Sequence, residues 1–243
     1  MDRMIYLSMA GAKAAMQRQD VLSNNLANVS TNGFRAELQA FRAVPVRGDG
    51  ASTRAYSLET SVGYNDAPGV MQVTERNLDV GMLGNAWLAV QGTDGTEAYT
   101  RAGALDVNSD GILVMRNGLQ VQGDGGPIQA PPNAELSIGG DGTVSAKTAD
   151  SPRAIPIGKI KLVTPEGPLQ RGEDGLFRSA DGEELPLDPN ARLQDGALEG
   201  SNVSPVETMV SMISAARQFE QQMKLLQIAQ TQGQESAKLL SNT

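Results

Sequence analysis

The sequence predicts an α+β protein in which two long terminal helices flank a central, irregular all-β domain. Three observations carry that prediction. Of the 27 glycines, 24 lie between Phe34 and Gly200, as do 11 of the 12 prolines. Apolar residues at both ends recur at the three- and four-residue steps of a helix. The centre instead repeats Asp-Gly and Asn-Gly between short β-prone runs, which is the pattern of tight hairpins.

The N-terminal segment, residues 1–33, places Ile5, Met9, Ala12 and Met16 on one helical stripe, continued by Leu22, Leu26 and Val29. It runs out through Asn24-Asn25-Leu26-Ala27-Asn28-Val29-Ser30-Thr31-Asn32-Gly33-Phe34-Arg35. Asn32-Gly33 is expected to form a left-handed C-cap, with Phe34 packing back on the last turn. A plain helix end needs only the glycine. The surplus of asparagine amides suggests polar contacts made repeatedly between identical subunits.

Residues 34–78 have weak periodicity and hold Pro45, Gly48, Gly50, Gly63 and Gly69, so they read as an extended connector. Residues 79–200 read as a β-rich outer domain. Turns are expected at Asp94-Gly95, Asp110-Gly111, Asn117-Gly118, Asp124-Gly125, Asp141-Gly142, Asp174-Gly175 and Asp181-Gly182. Between them lie the strand candidates Trp87–Val90, Ile112–Met115, Leu119–Val121, Leu136–Ile138 and Ile155–Val163.

The C-terminal segment, residues 201–243, carries the stronger helical signal. Met209, Met212, Ala216, Phe219, Met223 and Leu226 keep a strict three-four alternation, a heptad seam. Ser204 is placed to cap the helix, with Pro205 first inside it and Glu207 in the first turn. Such a helix would reach roughly 50 Å at the usual rise. The two ends are expected to pair as an antiparallel coiled coil. Their remaining faces, rich in Gln17, Gln19, Gln218, Gln221, Gln222 and Gln227, would meet copies of the chain.

Histidine and cysteine are both absent. That excludes Ser-His-Asp and cysteine nucleophiles, thiolate or imidazole metal sites, and disulfides. The net charge is −8, and 23 acidic against 14 basic residues of the middle account for it. This acidity argues against nucleic-acid partners. Asp2, Arg3, Lys13, Arg18 and Asp20 break up any leader-like apolar stretch, so no cleaved signal peptide is expected. No apolar run approaches the roughly eighteen residues of a membrane span, so no membrane insertion is expected. Asp106-Val107-Asn108-Ser109-Asp110-Gly111-Ile112 matches the first half of a calcium loop, but Asn117 stands where a bidentate Glu is required. A hairpin is the better reading, and no metal or cofactor is expected. Glu183, Glu184 and Asp79 show no spacing that would pair carboxylates for glycoside hydrolysis. The Asn-Val-Ser triplets at Asn28 and Asn202 read as turn and cap residues.

The Asn24–Arg35 stretch resembles the Asn-Asn-Leu-Ala-Asn-x-x-Thr-x-Gly-Phe-Lys signature of bacterial flagellar rod and hook proteins, with Arg35 at the final basic position. Ser201-Asn202-Val203, Val206, Met209, Met212-Ile213, Arg217, Phe219-Glu220 and Lys224 resemble that family's second signature. Leu78-Asp79-Val80, Gly84, Trp87 and Tyr99-Thr100-Arg101-Ala102-Gly103 resemble its β-domain core. Ala86-Trp87-Leu88 departs from the Gly-Phe-Phe of many relatives, and Leu105 stands where an aromatic is usual. The opening Met1-Asp2-Arg3-Met4-Ile5-Tyr6 and the short length resemble the proximal-rod branch.

The resemblance implies a structural, non-enzymatic subunit of the basal-body rod in the periplasmic space. It would be exported unfolded by the flagellar type III apparatus, polymerise through its terminal helices and help transmit motor torque. Its partners would be copies of itself and other rod subunits. Motif and seam together designate an assembly interface of Asn24, Asn25, Leu26, Asn28, Gly33, Phe34, Asn202, Met209, Met212, Ile213, Arg217, Phe219, Met223 and Leu226. The alternatives are a distal-rod or hook subunit and, more remotely, a soluble β-domain enzyme with helical oligomerisation arms.

Overall fold

The computed structural model describes residues 2–45, 55–148 and 151–241. The chain divides into two compact units, one of residues 1–29, 36–65 and 203–243, the other of residues 30–35 and 66–202. The α+β class and the order helix, β-region, helix are as the sequence predicts.

The first unit holds α1 (Asp2–Ala27) and α2 (Pro205–Ser241), which pack on one another. Helix α2 starts at Pro205, and the Ser204 carbonyl accepts its first bond from the Thr208 amide at 3.0 Å. The stripes that turn inward share residues with the expected ones but are centred on smaller side chains. On α1 the buried positions are Ser8, Ala12 and Ala15, whereas Met9 and Met16 are exposed. On α2 they are Thr208, Ala215 and Ala229, whereas Met209 and Met223 face out. Met212, Phe219 and Leu226 keep half-buried places on the inner side. The physical reason is side-chain size. Small residues let two helices approach closely: a Cβ added at Gly11 would lie 2.9 Å from the Gln222 side chain. A methionine stripe would hold them apart.

Within the expected connector, β1 (Glu37–Pro45) and β2 (Ala55–Tyr64) form an antiparallel ribbon from Glu37–Tyr64 to Pro45–Ala55, with a shift of register at Ala40/Phe41. Gly48 and Gly50 fall between the strands, outside the described residues. Pro45 ends β1 and Gly63 lies within β2, opposite Leu38, so neither breaks the ribbon.

The second unit is built on a five-stranded antiparallel sheet in the order Leu162–Val163, Trp87–Gln91, Glu97–Thr100, Phe177–Arg178, Gln170–Arg171. A three-stranded sheet of Glu135–Ile138, Thr143–Thr148 and Ser151–Lys159 adjoins it in sequence. The run Ile155–Val163, expected as one strand, is divided between these two sheets. Leu119–Val121 contributes only single bridges, Val114–Gln120 and Val90–Val121. Two short pairs bring the unit's ends together: Val80–Met82 with Leu193–Asp195, and Met71–Val73 with Ala197–Glu199. The core is aliphatic. Leu88, Val90, Leu105, Leu113, Val121, Val144 and Ile160 are fully buried, and Trp87 tilts against Phe177 with ring centroids 4.8 Å apart.

The hairpin connections recur as one device. At Gly92–Thr96, Asn108–Ile112, Gly139–Thr143 and Gly172–Leu176 the first and fifth residues are bonded, and the fourth, a glycine, donates to the first carbonyl. Those glycines have φ between +77° and +85°. The expected two-residue turns are therefore three-residue loops with a left-handed glycine closing the bulge. At Asp124-Gly125 the positive φ falls instead on Gly126. In three of the four loops the aspartate Oδ1 also accepts the amide two residues on: Thr96, Thr143 and Leu176, at 3.0–3.1 Å. In the calcium-like loop this role passes to Asn108, whose Oδ1 accepts from Asp110 and Ile112.

Hydrogen bonds from Thr96 and Thr143 hold the Asp94 and Asp141 carboxyls below the usual range, and one from Arg178 does so for Asp174. A carboxylate lowered in the fold contributes stability above its unfolded pKa, near 4, and loses it as pH falls through the folded value. The urea midpoint read from Trp87 fluorescence should therefore hold steady from neutrality to about pH 5 and fall below about pH 4. Asp94→Asn with Asp141→Asn should flatten that acid limb. Separately, Leu105→Ala should cost about 2–5 kcal/mol in the same assay.

Candidate assembly surface and buried charge cluster

Residues of the first signature divide between the two units. Asn25 is buried in the first, where its amide pairs with the backbone of Glu37: Nδ2 donates to the carbonyl at 3.0 Å, and Oδ1 accepts the amide at 2.8 Å. It thereby ties the start of β1 to the last turn of α1. Asn28 Nδ2 donates to the Asn24 carbonyl at 3.0 Å and to the Asn24 Oδ1 at 3.1 Å, beside the Asn28 amide that reaches the same carbonyl at 3.2 Å. Leu26 is half-buried. Within the chain, the Asn25 and Asn28 amides hold backbone groups at the end of α1.

Gly33 has the expected left-handed backbone, with φ +70°, but it is not the helix cap. Helix α1 ends six residues earlier, at Ala27. The Gly33 amide donates to the Glu199 carbonyl at 2.7 Å, and a Cβ there would lie 2.3 Å from the Ala102 nitrogen. Close backbone approach, as much as φ, requires glycine here. Phe34 is buried beneath the Arg171 guanidinium, 4.5 Å from its ring centroid. Asn202 Nδ2 donates to the Ala67 carbonyl at 2.8 Å, and its amide reaches the Phe34 carbonyl at 3.2 Å.

Around these residues lies a cluster that the sequence did not disclose. Glu199, in the last strand, stands between Arg35 and Arg101, and the three side chains are only 1–3% exposed. Its Oε1 accepts from Arg35 Nη2 at 3.1 Å and from the Gly69 amide at 2.9 Å. Its Oε2 accepts from Arg101 Nε at 2.7 Å and Nη2 at 2.6 Å. Two cations meet one carboxylate, and backbone carbonyls accept from further guanidinium nitrogens of both. Arg101 reaches Met82, Gly84 and Ala86, while Arg35 reaches Asp66 and Ala67. Arg101 also lies 5.9 Å from the Trp87 ring centroid. Arg35 and Arg101 were visible as motif positions. Glu199 carried no signal of its own in the sequence.

The seam residues of α2 lie in the first unit. Met209, Ile213 and Met223 are exposed large apolar side chains, joined by Val206, Val210, Leu225 and Ile228. Val210, Ile213, Ser214, Arg217, Gln218 and Gln221 line a shallow groove along the helix. On α1, Tyr6, Met9 and Met16 are likewise exposed. Each helix thus carries one stripe of small residues turned inward and one of large apolar residues turned to solvent. Among the described residues, no helix is long and apolar enough to cross a membrane, and no acidic side chains group as a metal site.

Terminal helices around an Asp-Gly-punctuated β-unit define the class of protein that the comparisons identify. Residues 5–35 match the family model "Flagella basal body rod protein", residues 82–146 the "Flagellar hook protein FlgE/F/G D1 domain", and residues 194–239 the "Flagellar basal body rod FlgEFG protein C-terminal". The chain belongs to the flagellar basal-body rod protein family. It is 45% identical to the flagellar basal-body rod protein FlgF of Salmonella typhimurium, over 93% of each chain. It is 44% identical to the Escherichia coli FlgF, over 99% of each. A FlgG protein of Bacillus subtilis is 31% identical, over 92% of this chain and 94% of the other.

Removing one partner of a buried ion pair costs about 3–5 kcal/mol, because the others stay buried and uncompensated. Glu199→Gln should therefore lower the unfolding free energy by about 3–5 kcal/mol, read as a fall in the urea midpoint of the Trp87 transition. Gly33→Ala should lower it too, because the added methyl meets backbone on the Arg101-Ala102 segment. An unmoved midpoint in either variant would remove the cluster from the determinants of this unit.

Proposed function

We propose that the chain is a structural subunit of the proximal rod of the bacterial flagellar basal body, joining its neighbours through its terminal helices and transmitting torque. The observation that carries this reading is the outward apolar stripe on each helix. Exposed Tyr6, Met9, Met16, Val206, Met209, Val210, Ile213 and Met223 leave a large apolar area in water. Each such side chain gains about 1.5–3 kcal/mol on full burial, so copies of the chain and other rod subunits are the natural cover. The inward small-residue stripes supply the pairing of α1 with α2, here taken as a coiled coil. Identity of 44–45% to FlgF proteins supports the proximal-rod place over the distal-rod FlgG place, for which the relatives are 28–31% identical.

On this reading the subunit is not an enzyme. It passes through the flagellar type III export apparatus and works in the periplasmic rod. The assembly surface then centres on Met209, Ile213, Arg217 and Met223, with Met212, Phe219 and Leu226 steadying the helix pair behind it. Asn25, Gly33, Phe34 and Asn202 contribute by fixing the chain where it leaves and rejoins the helices.

Ile213→Asp separates assembly from folding, because Ile213 is exposed and its loss leaves the helix contacts intact. Phe219→Asp is a harsher probe, since Phe219 is half-buried. The Ile213→Asp protein should keep its Trp87 unfolding transition and reach the export apparatus, yet be missing from isolated basal bodies of cells that cannot swim. Normal swimming with the variant incorporated would show that this face meets no neighbour.

A further inference from the structure

We propose that Met9, Met16, Met209 and Met223 form a reversible oxidation site on the helices, whose modification keeps an unassembled subunit out of the rod. The chain has no cysteine and a single tryptophan, Trp87, which is 1% exposed. Accessible sulfur is therefore all thioether. These four methionines are 56%, 57%, 51% and 46% exposed, against 1% for Met82 and 6% for Met115 in the β-unit. They are also aligned. Met9 and Met16 lie one heptad apart on α1, and Met209 and Met223 lie two heptads apart on α2, each pair beside the inward stripe.

The oxidant is hydrogen peroxide. The thioether sulfur attacks one peroxide oxygen and the O–O bond breaks. The sulfur is oxidised by two electrons to the sulfoxide, and the other oxygen leaves as water. Each event places a polar S=O on a line of otherwise apolar contacts, where burial without a partner is costly. Packed neighbours would shield the same sulfurs, so vulnerability would end with assembly. Methionine sulfoxide reductases undo the change. The chemical selectivity stands on exposure alone, whereas the effect on assembly rests on the rod-subunit reading.

The purified full-length protein is exposed to peroxide and its peptides are mapped by mass spectrometry. The four helical methionines should convert at least about tenfold faster than Met82 and Met115. Equal rates would overturn the site. In the second arm, cells building rods receive a brief peroxide pulse, and the wild-type chain is recovered both from basal bodies completed after the pulse and from the unassembled pool. Sulfoxide at the four positions should be severalfold rarer in the incorporated chain than in the unassembled one, and overproduced methionine sulfoxide reductase should restore incorporation. Equal sulfoxide content in the two pools would overturn the assembly effect. Absence of the wild-type chain from basal bodies of untreated cells would instead refute the rod-subunit reading, with the peptide map still deciding the chemistry.

Discussion

The β-unit depends on one carboxylate. Glu199 is buried between two arginines, and its position is over-determined: four hydrogen bonds reach its oxygens, and its backbone pairs with Met71 and accepts from Gly33. A buried charge of this kind is poor evidence of net stability, since desolvation offsets much of the attraction. What it contributes is uniqueness. The observed arrangement of the segments around Arg35, Asp66–Gly69, Met82–Arg101 and Glu199 brings both guanidinium groups onto the carboxylate and onto backbone carbonyls. An arrangement that separates them leaves charge in an apolar core. The strand pairings of Val80–Met82 and Met71–Val73 with the end of the unit follow from that closure.

The helices follow a different logic, in which side-chain volume decides direction. Alanine, serine, threonine and glycine turn inward because they let the backbones approach, and dispersion contacts gain from proximity. Met9, Met16, Met209, Val210, Ile213 and Met223 turn outward, while Met212, Phe219 and Leu226 keep half-buried places. An ordinary amphipathic helix places its largest apolar residues in its own core, and here that preference is kept only in part. Unbranched methionines suit such a surface, because they adapt to partners of differing shape.

Much of this was legible in the sequence where a residue type has one physical use. Ser204-Pro205 marked the start of α2, and the Asp-Gly pairs marked the hairpin ends. The three-residue loop form was not legible, because it depends on the residue three before the glycine as well as on the dipeptide. The expected stripes held in part: Ala12, Met212, Phe219 and Leu226 lie inward, while Met9, Met16, Met209 and Met223 do not. Apolar periodicity alone does not say whether large or small residues face a single partner. The β1–β2 ribbon was hidden because its strands mix Glu37, Gln39 and Arg42 with apolar residues and lack clean alternation. Glu199 was hidden for a stricter reason: a buried acid differs from a solvated one only in neighbours that are distant in sequence. The Asn32-Gly33 motif was seen for its φ, while its second requirement, room for the Arg101-Ala102 backbone, lies in contacts across the fold.

The four like loops have a kinetic consequence. Each is closed by bonds between residues at most four positions apart, so its hairpin can form within microseconds of the segment becoming free in water. The Arg101–Glu199 bond spans 98 residues and Gly69–Glu199 spans 130, so both must wait until nearly the whole unit has emerged. A chain emerging from its N-terminus would accumulate independent hairpins along its length and acquire its fixed tertiary arrangement only when Glu199 arrives. The order of events is written into loop lengths. A chain that stops short of residue 199 holds its hairpins without the contact that joins them.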